Sequence, residues 1–132
     1  MTSLFSKIVK GEIPCHKVME DANYLAFLDI RPINPGHTLV IPKKEIDYIF
    51  DLDDQVLSGL LIFARKVAHK IRKSVDCQRV GIMVAGLEVP HAHVHLVPIT
   101  SVGDLNFAKA KPAAADELAK LAEKIRLARC AC

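Results

Sequence analysis

The sequence of 132 residues contains no tryptophan and few aromatic residues. No apolar run approaches the roughly 20 residues that a membrane-spanning helix needs, so we expect no membrane segment. No basic leader followed by an apolar stretch indicates secretion, which makes the cytoplasm the expected compartment. The formal net charge of +3 is too small and too dispersed to indicate a nucleic-acid partner, although it suits an anionic phosphate ligand.

Cysteine pairing is also not indicated. Cys15, Cys77, Cys130 and Cys132 show no Cys-x-x-Cys spacing, so we expect free thiols, with the terminal pair exposed. The sequence has no internal repeat and no low-complexity linker. Its length, with 51% hydrophobic and 25% charged residues, predicts a single globular domain over residues 1–132.

What the sequence does contain is an alternating histidine array, His91-Ala92-His93-Val94-His95. Successive side chains of a strand point to opposite faces, so the three imidazoles share one face and the apolar residues the other. The pattern predicts a solvent-accessible strand over 91–97. Imidazole can act near neutral pH as a base, acid, nucleophile or metal ligand.

Three interpretations of the array remain open from the residues. Alternate residues on a strand lie roughly 6–7 Å apart, so the three rings converge on one metal ion only with favourable rotamers. No acidic cluster nearby offers outer support for such an ion. A nucleophilic histidine oriented by its neighbours fits the spacing better, and an inert polar face is the third interpretation.

Local signals predict a compact α+β arrangement. Ser3 can cap a helix over 4–10, and Gly11 can end it in a left-handed conformation. A hairpin is expected around 21–23, and a long helix is expected to open at Asp51, Asp53 and Asp54. The remaining segments are predicted as strands over 17–20, 24–29, 38–41 and 79–84, and as a last helix over 116–127.

Four motifs in order resemble the histidine-triad (HIT) family. They are the segments 4–14, 25–30, 35–43 and 91–97, so the resemblance covers a core of residues 4–98 and leaves a C-terminal extension with a helix over 99–132. The resemblance implies an α+β fold: a five-stranded antiparallel sheet with a short N-terminal, a long central and a C-terminal helix.

The resemblance also implies roles for the histidines. His93 would be the nucleophile, His95 would contact the phosphate and assist the leaving group, and His91 would order the array. His37 resembles a fourth histidine next to the phosphate, although its residue type alone equally suits a solvated position at the start of a strand.

A purine nucleotide is the substrate that the resemblance implies. Asp29 would bind the ribose hydroxyls, whereas local physics slightly favours an aspartate that caps the following turn. An apolar slot would hold the base. By position it consists of residues that are ordinary core candidates by pattern alone: Leu4, Phe5, Ile8, Ile13, Phe27, Leu28 and Ile30.

The expected reaction is hydrolysis of nucleoside 5'-phosphoramidates through a nucleotidyl-histidine. Cleavage of dinucleoside polyphosphates and non-catalytic nucleotide binding are the alternatives. Ser3, Ser6 and Glu45 occupy positions where several relatives bind structural zinc, and they suit zinc poorly, so we expect neither metal nor other cofactor. The segment before the triad is shortened, and Leu87 stands where many relatives have glutamine.

A homodimer is the last expectation. The long helix carries more apolar residues than one core-facing stripe requires, and relatives that this chain resembles pair through the equivalent helix and strand. These residues are Leu57, Leu60, Leu61, Ile62 and Phe63, and the alternative is that all of them pack in the core of a monomer.

Overall fold

The computed structural model describes residues 3–129 and contains one antiparallel sheet in the order β1-β2-β3-β5-β4. The strands are β1 (Lys17–Glu20), β2 (Tyr24–Leu28), β3 (Thr38–Pro42), β4 (Arg79–Met83) and β5 (Val94–Ile99). The helices are α1 (Leu4–Val9), α2 (Asp54–Ser74) and α3 (Ala115–Leu127). Short 3-10 turns cover Ile49–Asp51, Val102–Asp104 and Phe107–Lys109. The predicted α+β architecture, with a five-stranded antiparallel sheet and three helices, is confirmed.

The helix boundaries follow their capping residues. Ser3 accepts a hydrogen bond from the Ser6 amide at the start of α1, and Gly11 adopts a φ of 80° just beyond its end. Asp53 likewise caps α2 by accepting from the Val56 amide. The predicted helix starts are therefore correct to within a residue or two, because capping chemistry is local.

Both faces of the sheet are covered, which explains why every residue of β2 and β3 is buried. The helices α2 and α3 pack on one face and bury the larger core, which includes Val40, Val94 and Val67. The short helix α1 packs on the other face through Phe5 and Ile8. The histidines share this second, smaller face.

The strand that carries the triad is shorter than predicted. β5 begins at Val94, so His91 and His93 precede the strand and the predicted start at residue 91 is wrong. The backbone amides of His91 and Ala92 bond to the carbonyls of Val89 and Ile46, outside the sheet ladder. The predicted alternation nevertheless holds, because Ala92, Val94 and Leu96 pack into the larger core.

The C-terminal segment packs into the core of the domain, although it lies outside the sequence motifs. Leu118, Ala122 and Ile125 of α3 are buried in the same core as α2. Ahead of that helix, the amide of Ala113 bonds to the carbonyl of Ile30, so this segment runs beside the loop after β2.

The apolar residues of α2 divide between core and surface. Leu60 and Phe63 are buried and Leu57 is partly buried, whereas Leu61 and Ile62 are each about half exposed. Within residues 3–129, no helix combines the length and apolarity needed to cross a membrane. Cys130 and Cys132 lie outside the described residues; Cys15 and Cys77 are free thiols, as predicted.

Candidate active site

His93 has one ring nitrogen occupied and one free. Its Nδ1 lies 2.7 Å from the carbonyl oxygen of His91, and only a protonated Nδ1 can donate there. In the neutral ring, Nε2 therefore carries the lone pair. Nε2 has no hydrogen-bond partner among residues 3–129, yet no polar side-chain atom there is both buried and unpartnered, so Nε2 retains accessible surface. His93 thus offers an unprotonated nitrogen.

The neighbouring histidine, His95, shows the opposite tautomer. His37 accepts a hydrogen bond on Nδ1 from the Ile33 amide at 3.0 Å, so its proton is on Nε2. That Nε2 donates to Nδ1 of His95 at 2.9 Å. In the neutral His95 the proton is consequently on Nε2. The array therefore presents a lone pair on His93 and an N–H on His95, whose ring centroids are 5.0 Å apart.

His91 lies behind this pair. Its Nε2 donates to the carbonyl of Pro42 at 2.7 Å, and its Nδ1 lies 3.0 Å from the Ser3 hydroxyl. Both contacts agree on a neutral ring with its proton on Nε2. Because the carbonyl of the same residue accepts from His93, the position of His91 determines the orientation of the free nitrogen on His93.

All four histidines are buried, with exposures of 0% for His91, 5% for His93, 7% for His95 and 1% for His37, so the expected solvent-accessible strand is wrong. The cause is cover from α1 and the 3-10 turn at Phe107: the Phe5 ring contacts His93, and the Phe107 ring contacts His95. Burial of this kind disfavours the charged forms of His37, His91 and His95.

Burial is also the main cause of the perturbed pKa values. It lowers the pKa of His95 to about 3, and the adjacent His37 and His93 act in the same direction. Burial lowers the pKa of His37 against the opposing carboxylate of Asp29. It lowers the pKa of His91 as well, against the opposing hydrogen bond to the Pro42 carbonyl.

A cavity of about 470 Å³ opens beside the free nitrogens, a volume typical of small-molecule sites. His93 and His95 line it, whereas His37 and His91 do not. The residues predicted to hold the nucleotide all line this one cavity: Leu4, Phe5, Ile8, Ile13, Phe27, Leu28, Asp29 and Ile30.

Asp29 combines the two arrangements weighed from the sequence. Its Oδ1 accepts from the Arg31 amide at 2.9 Å, as a turn-capping aspartate would. Its Oδ2 lies 3.6 Å from Nε2 of His37, and the residue also lines the cavity. A carboxylate has about four acceptor positions, so capping the turn leaves capacity for a ligand.

The sequence did not indicate the roles of two residues near the array. Phe107 lines the cavity, and its ring centroid lies 4.9 Å from that of His95. An aromatic residue in a polar segment of an aromatic-poor chain was the available signal. Glu45 accepts from the Ser3 amide at 2.5 Å and from the Ser6 hydroxyl at 2.7 Å, and nothing in its residue type indicated that role.

Two groups of side chains lie close enough together to be considered as metal ligands. Ligand atoms of Asp29, His37 and His95 all lie within 4.8 Å of one another. Ligation through Nε2 of His37 requires a proton on Nδ1, where the Ile33 amide already donates. As folded, this group therefore does not fit a metal ion.

The second group surrounds His91. The Ser6 hydroxyl donates to Glu45, and the Ser3 hydroxyl is in position to donate to His91. Neutral hydroxyls that are already hydrogen-bonded are poor substitutes for the thiolate and imidazole ligands of zinc. The four side chains complete a hydrogen-bonded cluster that fits no metal.

The sequence matches a known protein family. The HIT domain family model matches residues 10–102. The adenosine 5'-monophosphoramidase of Schizosaccharomyces pombe is 39% identical over 99 residues, which cover 74% of each chain.

Solved structures of similar proteins share this fold. A Hit-like protein from Bartonella henselae superposes with a TM-score of 0.83 and 32% identity, covering 94% of this chain and 93% of its own. A Zn-bound histidine triad family protein from Mycobacterium smegmatis has a TM-score of 0.81 and 29% identity, covering 96% and 91%.

The family match spans more than half of the sequence and includes the histidine array. The chain belongs to the histidine-triad family, as its sequence motifs indicated. Its relatives include an adenosine 5'-monophosphoramidase.

Proposed function

We propose that this chain is a hydrolase that cleaves nucleoside 5'-phosphoramidates, in which AMP or GMP is joined to nitrogen, and that His93 is its nucleophile. One observation carries the proposal. The Nδ1–H of His93 is committed to the His91 carbonyl, which leaves the Nε2 lone pair beside a cavity of nucleotide size. A neutral imidazole nitrogen with a free lone pair can attack phosphorus.

The reaction then has two displacements. Nε2 of His93 forms a bond to phosphorus while the phosphorus–nitrogen bond breaks, and the departing amine takes up a proton. Water next attacks the nucleotidyl-histidine and releases the nucleoside monophosphate and free His93. No metal or other cofactor takes part in these steps.

His95 would assist from the leaving-group side. Its Nε2–H is the donor available to a phosphoryl oxygen or the leaving nitrogen, because Nδ1 accepts from His37. A bound phosphate anion favours the charged form of a neighbouring imidazole, which raises the pKa of His95 above its value in the free protein. The protonated ring can then transfer a proton to the departing amine.

The rest of the cavity supports a nucleoside. The apolar side chains of Phe5, Ile8 and Phe27 offer a slot for a purine ring, and Asp29 offers acceptors for ribose hydroxyls. The phosphoramidase name of the S. pombe relative favours a phosphoramidate over a dinucleoside polyphosphate.

The test compares wild type with His93→Ala on a panel of adenosine and guanosine phosphoramidates and dinucleoside polyphosphates. We expect the variant to lose several orders of magnitude in kcat, because it lacks the covalent route. His69→Ala, at an exposed histidine, is the matched control.

When the wild-type protein is quenched at high pH during turnover, the peptide that contains His93 should show the added mass of a nucleotide. Full activity of His93→Ala would refute the mechanism. Higher kcat/KM on dinucleoside polyphosphates would move the assignment to that reaction, and binding without any turnover would indicate a nucleotide-binding protein.

We further propose that the protein acts as a homodimer in the cytoplasm. Leu61 and Ile62 are exposed on α2, and the edge strand β4 carries the exposed Ile82, which together provide an apolar surface for a two-fold contact. The free thiols of Cys15 and Cys77 suit a reducing compartment, and fractionation of cells tests this part.

A further inference from the structure

The strongest unexplained feature is an exposed glutamate that bonds to a distant helix. Glu45 follows β3, and its Oε1 accepts from the Ser3 amide at 2.5 Å and from the Ser6 hydroxyl at 2.7 Å. These hydrogen bonds join segments that are 42 and 39 residues apart in the sequence. They connect the start of α1 to the end of β3.

The helix that receives these bonds is short. α1 has only six residues, and isolated helices shorter than about 12–15 residues are marginal in water. Its buried apolar side chains are Phe5 and Ile8. Yet Leu4, Phe5 and Ile8 all line the cavity, and the Phe5 ring centroid lies 5.0 Å from that of His93.

We propose that Glu45 is a positioning residue that clamps the start of α1 to the end of β3 and so holds the apolar wall of the nucleotide cavity in place. The identity of the ligand rests on the proposed function. The clamp occupies the cluster around His91 that does not fit a metal ion, and it adds to the packing of Phe5 and Ile8 against Leu39 and Ile41 of β3.

The charge of Glu45 supports this role. The Ser6 hydroxyl and, next, the Ser3 amide lower the pKa of Glu45 to about 2, so the carboxylate stays ionised at neutral pH. Hydrogen bonds to an ionised acceptor are stronger than those between neutral groups. One carboxylate oxygen that accepts two of them ties both ends of the first turn of α1 to the loop.

Loss of the clamp should weaken substrate binding more than it slows the chemical step. His91 is independently held by the Pro42 carbonyl, and His93 by the carbonyl of His91. Loss of Glu45 therefore loosens the wall that α1 contributes while the free nitrogen on His93 keeps its orientation. The expected effect is a higher KM with a nearly unchanged kcat.

The experiment measures KM and kcat for adenosine phosphoramidate with Glu45→Ala, Glu45→Gln and the matched control Asp47→Ala, an exposed carboxylate of the same loop. For Glu45→Ala we expect KM to rise about tenfold, the order that loss of a charged hydrogen bond gives, with kcat within about threefold. Glu45→Gln should give a KM between those of wild type and Glu45→Ala, because an amide oxygen can accept both bonds but lacks the charge that strengthens them. Asp47→Ala should behave as wild type.

A second readout does not depend on turnover. Hydrogen exchange of the peptide over residues 3–10 should become faster in Glu45→Ala, and less so in Glu45→Gln, while exchange of the sheet is unchanged. A chain without phosphoramidase activity would refute the proposed function, and the exchange rates would still decide this inference.

Unchanged KM and unchanged exchange in Glu45→Ala would overturn the clamp, and so would a variant whose kcat falls while its KM does not. If Glu45→Ala does not fold, Ser6→Ala carries the test, because it removes one of the two bonds. We expect faster exchange over residues 3–10 there too, and wild-type exchange would overturn the proposal.

Discussion

The buried histidines should make the protein lose stability as the pH falls from 7 to 5. Burial holds the pKa of His95 at about 3, whereas a histidine in the unfolded chain titrates near 6.5. Between these values the unfolded state binds a proton that the folded state does not. The free energy of unfolding therefore rises with pH in this window and falls as acid is added.

For His95 alone, these two pKa values give a loss of about 2 kcal/mol between pH 7 and pH 5. The lowered pKa values of His37 and His91 add to the loss with the same sign. The carboxylate of Glu45 has a lowered pKa too, but it loses its stabilising contribution only at lower pH, between about 4.5 and 2. The chosen window therefore isolates the histidines.

The measurement is urea unfolding of wild type, His95→Asn and His69→Asn at both pH values. The amide oxygen that His95→Asn introduces can still accept from His37, so the fold should survive, while the titrating group is removed. We expect His95→Asn to lose about 2 kcal/mol less than wild type between pH 7 and 5. The exposed His69→Asn should follow wild type. Equal pH dependence in wild type and His95→Asn would refute the reasoning.

Three further predictions concern the site and the surface. Prolonged chelation should leave activity and melting temperature unchanged, and stoichiometric zinc lost together with activity would restore the three-histidine metal interpretation. Phe107→Ala should lower kcat/KM about 2–10-fold, because a T-shaped aromatic contact with His95 contributes roughly 0.5–1.5 kcal/mol, and an unchanged value in steady-state kinetics would refute that contact's role. Sedimentation at micromolar protein should give a dimer, and a single species of monomer mass over a wide dilution range would contradict the pairing through Leu61 and Ile62.

The fold was predictable where the signals are local. The serine at residue 3 and the aspartate at residue 53 cap their helices as their residue types suggest, and period-3.6 apolar spacing located α2. The start of β5 was not predictable in this way. Alternation of side chains continues through His91, but the backbone there bonds to Val89 and Ile46, and periodicity carries no information about such partners.

The sequence predicted which residues form the candidate site better than it predicted how deeply they are buried. The resemblance to the HIT family assigned His93 and Asp29 to one nucleotide site, and both line the cavity. It did not show that the histidines are buried, since burial depends on Phe5 and on Phe107, which lies beyond the motifs. The spacing of residues in the sequence does not predict contacts between segments so far apart in the chain.

Hydrogen bonds with main-chain groups determine which ring nitrogens of the histidines carry the protons. The amide of Ile33 and the carbonyls of Pro42 and His91 each fix one ring nitrogen, so the tautomers depend on the backbone path more than on neighbouring side chains. Gly36 is where that path is most constrained: its φ is 98°, and a Cβ there would lie 2.8 Å from Val75. A side chain at this position would be strained by φ and by space together. The turn that brings the Ile33 amide to His37 therefore needs glycine, and the N–H that His95 presents to the cavity depends on that turn.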